Sequence, residues 1–106
     1  MATFREVEES LKNFIIQEQI DAHHRSSFNA TKYNNIKIYM DSARNPMPHV
    51  NIRISISEAT FSLGTYTKIK GSLGYEERFV SKWFGRYGVK EKLKDLWSSI
   101  ERTNSH

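Results

Sequence analysis

The sequence predicts an α+β domain: an N-terminal helix, a three- to four-stranded antiparallel sheet, and a C-terminal helical hairpin packed on one sheet face. Three observations carry that expectation. Apolar residues near the N-terminus recur at helical spacing, those of the middle third alternate with polar ones, and the last third returns to helical spacing with two tryptophans. A chain of 106 residues fits a single domain spanning residues 1–106.

Thr3-Phe4-Arg5-Glu6 has the form of a capping box, in which Thr3 caps and Glu6 reaches back. Phe4, Val7, Leu11, Phe14 and Ile15 then share one face, which predicts a helix over residues 4–22. Glu6, Glu8 and Glu9 lie where the positive end of the helix dipole favours carboxylates. Ile16 and Ile20 lie on the far side, where a sheet edge, a loop or a second subunit in a homodimer can meet them.

Residues 23–35 are polar, lack periodicity and read as a loop. Ile36 to Met40 reads as a short strand. In the connection from Asp41 to Pro48, Pro46 and Pro48 force extended geometry on the residues before them. Val50, Ile52, Ile54 and Ile56 alternate with Asn51, Arg53, Ser55 and Ser57, the clearest strand of the chain. Ala59, Phe61 and Leu63 continue as its partner, Gly64 ends that strand, and Tyr66–Ile69 adds a short fourth one. Gly71-Ser72-Leu73-Gly74 breaks the pattern. A helix then presents Phe79, Val80, Trp83 and Tyr87 on one face, with Gly88 as its C′ residue. Val89, Leu93, Leu96, Trp97 and Ile100 stripe a last helix to about residue 101. The expected core joins Val50, Ile52, Ile54, Ile56 and Phe61 to Phe79, Trp83 and Trp97. The tryptophans therefore read as core, not as platforms for stacking bases.

The absence of cysteine excludes disulfides, thiol nucleophiles and cysteine-based metal sites. His23-His24 offers no metal site, because neighbouring helical residues diverge by about 100°; favourable electrostatics at the helix C-terminus is the reading there. No cofactor is expected. The first residues turn acidic without an apolar h-region, and no apolar run approaches the ~18 residues of a membrane span. A cytoplasmic location follows as the expectation.

The net charge of +4 is unevenly spread. Residues 1–22 carry two basic against five acidic side chains; residues 23–75 carry seven basic (Arg25, Lys32, Lys37, Arg44, Arg53, Lys68 and Lys70) against Asp41 and Glu58. A basic sheet face attracts phosphate. The bland alternative is a solvated surface with ordinary Lys/Arg decoration.

Arg44-Asn45-Pro46-Met47-Pro48-His49-Val50 is the most unusual segment. Its prolines deliver His49 to the start of a strand, where it can bind phosphate, act as acid or base, or fix the loop by hydrogen bonding. If the helices cover the isoleucine face, strand alternation puts His49, Asn51 and Arg53 in a polar row on the open face, with Arg44 closing one end. Such a row suits phosphate or carboxylate recognition. Lys68 and Lys70 extend the basic surface. No second acid or base stands beside His49 in sequence, so the expectation is a non-enzymatic binding module. Its target would be a nucleic acid or a small partner protein; a small ribonuclease-like enzyme centred on His49 is the alternative.

The stretch from Ile36 to about Ile100 resembles a small bacterial family of unknown function. That family has a strand ending in Tyr, an Asn-Pro-Pro-His-x-His-Val signature, two more strands, a Gly-x-Leu break and a helical hairpin with two tryptophans. The matching residues are Ile38-Tyr39, Asn45-Pro46, Pro48-His49, Gly71, Leu73, Trp83 and Trp97. Met47 interrupts the proline pair, and Asn51 stands where the second histidine would be. The resemblance implies a component of a two-gene module of the toxin–antitoxin kind. The order of elements also resembles the double-stranded RNA-binding domain, whose Gly-Pro-x-His loop is echoed by Pro46 to His49. That family opens its last helix with lysines, whereas Tyr75-Glu76-Glu77-Arg78 stands here.

Overall fold

The computed structural model describes residues 2–22 and 30–104. Residues 23–29, with His23-His24 and Arg25, lie outside the described residues.

Helix α1 spans Phe4–Ala22. The cap forms as its sequence dictates: the Glu6 amide donates to Thr3 Oγ1 at 3.1 Å. Val7, Leu11 and Ile15 are buried, with Phe4 and Phe14 packed beside them. Residues 30–35, read as loop, instead wind into a 3-10 turn that leads into the sheet. There the Tyr33 hydroxyl accepts a 3.0 Å hydrogen bond from Gln19 Nε2 of α1 in a buried pair.

Strands β1 (Ile36–Tyr39), β2 (His49–Ile54), β3 (Ser57–Ser62) and β4 (Lys68–Ser72) form an antiparallel meander in that order. Helices α2 (Glu77–Phe84) and α3 (Val89–Asn104) follow. One core joins Val50, Ile52, Ile54, Ile38 and Phe61 of the sheet to Val7, Leu11, Phe79, Val80, Trp83 and Leu93 of the helices. Trp83 is fully buried, and its indole Nε1 donates to Ser10 Oγ of α1 at 3.0 Å. That bond ties the second helix to the first. The surface pair Lys82–Glu18 (2.7 Å) repeats that connection, and Lys92–Glu6 (2.8 Å) ties α3 to α1; exposed pairs of this kind add little stability. The Lys92 ammonium holds the Glu6 carboxyl below its usual range, first by hydrogen bonding and then by charge.

Three expectations are corrected. Ile56 is not core but 92% exposed. Ile54 pairs with Ser57, so Ser55-Ile56 is a two-residue hairpin turn, and Ser55 takes the left-handed φ of 59° at its first position. Tyr87 is not on the buried face of α2. That helix ends at Phe84, capped by Gly85, and Tyr87 stands free in the link to α3. Gly71 does not break the sheet but lies within β4, whose expected span was Tyr66–Ile69. Gly71 has φ 80°, and a Cβ there would sit 2.3 Å from the Glu58 carbonyl oxygen. The close approach of β3 and β4 therefore requires glycine at this position.

Candidate functional site

Strand alternation and register define the sheet face opposite the core. One cross-strand row runs Lys37, Arg53, Glu58, Ser72; the next runs Tyr39, Asn51, Thr60, Lys70. Lys37 and Arg53 are direct cross-strand neighbours, and like charges placed so repel. They line a recess of about 430 Å³ with Asn35, Ser55 and Ile56; among the described residues no carboxylate lines it, though Glu58 stands opposite Arg53 on β3. Arg53 Nε donates to the Ser55 carbonyl at 3.1 Å, which fixes the guanidinium at the mouth of the hairpin turn. Lys37 Nζ lies 5.8 Å from the Tyr39 ring centroid.

Tyr39, on edge strand β1, reaches across β2 to Glu58 on β3. The Tyr39 hydroxyl donates to Glu58 Oε2 at 2.7 Å, so the one acidic side chain of these rows is engaged by a neutral donor. Burial first, and the Glu58 carboxylate second, push the Tyr39 phenol above its ordinary value. Beneath them Thr60 Oγ1 donates to Asn51 Oδ1 at 2.6 Å, and both residues are buried.

Of the six residues expected to bind, Arg53 and Lys70 are exposed on this face, Lys70 directly opposite Thr60. Asn51 belongs to the same rows, but its carbonyl oxygen is taken by Thr60. Arg44 does not close a row: it is exposed in the loop and paired with Asp41, whose carboxylate accepts from its amide at 3.2 Å and lies 3.6 Å from Nε. Lys68 is not on this face either. A register shift between Thr60 and Phe61 places Lys68 opposite the core residue Phe61, and its Nζ meets Glu77 of α2 at 3.3 Å. Simple alternation would put Lys68 and Lys70 on one side; the bulge separates them.

His49 is the largest correction. It is not part of an open polar row but 3% exposed. Its Nδ1 lies 2.7 Å from the Met47 carbonyl oxygen, and its Nε2 accepts from the Asp41 amide at 3.3 Å. An amide can only donate, so Nε2 is the acceptor and Nδ1 carries the proton. The ring edge rests against Trp97 at a centroid distance of 5.1 Å. Both nitrogens are spent on the loop that precedes the strand, which leaves none for phosphate or for proton transfer.

Lys37 and Tyr39 are the residues that sequence reasoning left out of the site. The signal was present: in Ile36-Lys37-Ile38-Tyr39 the isoleucines face the core, so Lys37 and Tyr39 must face away. Among the described residues no group of three His, Asp or Glu side chains is placed to hold a metal ion, and no helix is long and apolar enough to cross a membrane. Comparison of the chain with protein-family models, curated proteins and solved structures returns no match.

Proposed function

We propose that this domain is a non-enzymatic binding module that holds a single-stranded nucleic acid on the helix-free face of its sheet. The observation that carries this reading is the pairing of Lys37 and Arg53 across β1 and β2, over a recess lined by no carboxylate among the described residues. Two cations held side by side repel, and a bound phosphate removes that repulsion while gaining charge-assisted hydrogen bonds. Lys70 adds a third cation at the far end of the neighbouring row, three strands from Tyr39. Tyr39 supplies a ring for a base to lie against, the combination of cationic track and aromatic platform used for single strands. The helix that follows the sheet starts with acidic residues, which argues against the phosphate contacts of a double-stranded RNA reader.

The ribonuclease alternative loses its centre, since His49 is buried and doubly hydrogen-bonded. The protein-partner reading, including membership of a two-gene module, draws support from the exposed side chains of Ile56 and Tyr87. The two readings separate in one experiment. Short single-stranded and duplex oligonucleotides are titrated by fluorescence anisotropy at about 50 mM and 200 mM salt. Binding of the single strand at the lower salt and its loss at the higher is the expected result. Absence of binding at the lower salt would transfer the assignment to a protein partner.

A further inference from the structure

We propose a second site at the opposite end of β2: a cleft for a small apolar carboxylate, walled by Met47 and kept in shape by His49. The segment from Pro46 to Pro48 is held by its prolines and by hydrogen bonds on both sides of Met47. Both prolines fix their own φ, and each restricts the residue before it. The Met47 amide donates to Asn45 Oδ1 at 3.1 Å, and its carbonyl accepts from His49 Nδ1 at 2.7 Å. The backbone is therefore held on both sides of a side chain that remains 64% exposed. An apolar, polarizable thioether on a backbone fixed in this way can form one wall of a ligand cleft.

What Met47 overlooks supports that. With Pro48, Leu63 and Trp97 it lines a cleft of about 380 Å³. Leu63 and Trp97 are core residues whose outer surfaces form the floor. The Trp97 ring is set by its edge contact with His49, and its indole Nε1 is buried without an acceptor among the described residues. The one charged residue at the cleft is Lys94, which is exposed and meets no carboxylate among the described residues. A cavity of this size stands at the small end of ligand sites, roughly 300–1,000 Å³. It suits one ring or a short alkyl chain bearing a carboxylate, the apolar part against Met47 and Trp97 and the anion on Lys94. His49 is a positioning residue here: it fixes the Met47 carbonyl with Nδ1 and the Trp97 ring with its edge, and touches no ligand itself.

The cleft lies at the start of β2 and the Lys37–Arg53 recess at its end, so either site can fail without the other. The test is a titration of the isotope-labelled protein with 3-phenylpropionate, phenylacetate and uncharged phenylacetamide at millimolar concentration, read by amide and indole NMR. Two tryptophans give two indole signals. The Trp97 signal and the Met47 and Gly64 amides are expected to shift saturably while the Trp83 signal stays. Lys94→Gln should weaken the carboxylates about two- to fivefold, the scale of an exposed ion pair, and leave the amide unchanged. Asn45→Ala frees the Met47 amide from an exposed side chain without touching the core, and should weaken all three probes. The proposal is overturned if no probe moves the Trp97 signal, if the shifts spread without saturating, or if Lys94→Gln binds carboxylate and amide as the parent does.

Discussion

Replacing His49 by alanine tests the corrected role of the residue that drew most attention in the sequence. The change removes the acceptor of the Asp41 amide and the donor to the Met47 carbonyl. Each bond contributes about 0.5–1.5 kcal/mol net. The edge contact with Trp97 is lost as well, worth about 0.5–1.5 kcal/mol beyond the buried area. The sum is about 1.5–4.5 kcal/mol, toward the lower end because both bonds are only part-buried and water can replace some of what is lost. For a domain of this size that lowers Tm by roughly 10–25 °C. His49→Phe keeps a ring against Trp97 but neither hydrogen bond, so it separates the two contributions and should fall between the alanine variant and the parent. Calorimetry and urea unfolding read the stability, and oligonucleotide anisotropy at low salt reads the sheet face, which should be unaffected while the protein is folded. An unchanged Tm for His49→Ala would refute the structural role. So would loss of oligonucleotide binding in a variant that melts with the parent.

Trp83→Ala should cost about 3–5 kcal/mol, since it opens a cavity in the core and breaks the bond to Ser10; an unaltered urea midpoint would contradict the packing. Gly71→Ala should destabilise by more than about 1 kcal/mol, because φ 80° and the 2.3 Å approach to Glu58 both forbid a Cβ; a neutral effect would mean β4 is not held against β3 as described. The Tyr39 and Tyr66 phenols are both raised above the ordinary value of 10.0, each chiefly by burial. A group with a folded pKa above its unfolded one stabilises fully below the unfolded value and loses that contribution as pH rises through the folded value. Stability should therefore decline above about pH 10, and Tyr39→Phe with Tyr66→Phe should flatten the decline; an unchanged slope in the double variant would remove the phenols as its cause.

Much of the fold was legible because local chemistry and tertiary demand coincide. Thr3 and Glu6 announce the first helix, and the apolar positions Val7, Leu11 and Ile15 name its buried face without reference to the rest of the chain. Val50, Ile52 and Ile54 do the same for the central strand. The misses arise where one local pattern hides two structures. Ile56 continues the alternation of β2 to the eye, yet the hairpin turns at Ser55-Ile56 without the Gly or Asn that marks such turns. Tyr87 keeps helical phase with Trp83 after the helix has ended at Phe84.

The site was partly legible for the same reason. Arg53 and Lys70 follow from alternation, and Lys37 and Tyr39 follow from it equally once β1 is paired. Lys68 does not, because a bulge is a register event between two strands and leaves no mark in one of them. His49 obeys the alternation rule in sequence but stands at the strand's first residue, where the fold of the preceding loop and the approach of Trp97 decide its surroundings. Those contacts join residues 8 and 48 positions apart (Asp41 and Trp97 to His49), beyond the reach of any periodicity.

The most direct test of the sheet face as a polyanion site is the salt dependence of single-strand binding, compared between the parent and a Lys37→Gln, Arg53→Gln, Lys70→Gln variant. Each phosphate contact to a single strand contributes about −0.7 to the slope of log K against log salt. Three contacts give a slope near −2 for the parent, and the variant should lose nearly all of it while keeping the parent's melting temperature, since Lys37, Arg53 and Lys70 are exposed. A folded variant that binds with the parent's slope would contradict the account, for the phosphates would then be held elsewhere on the molecule.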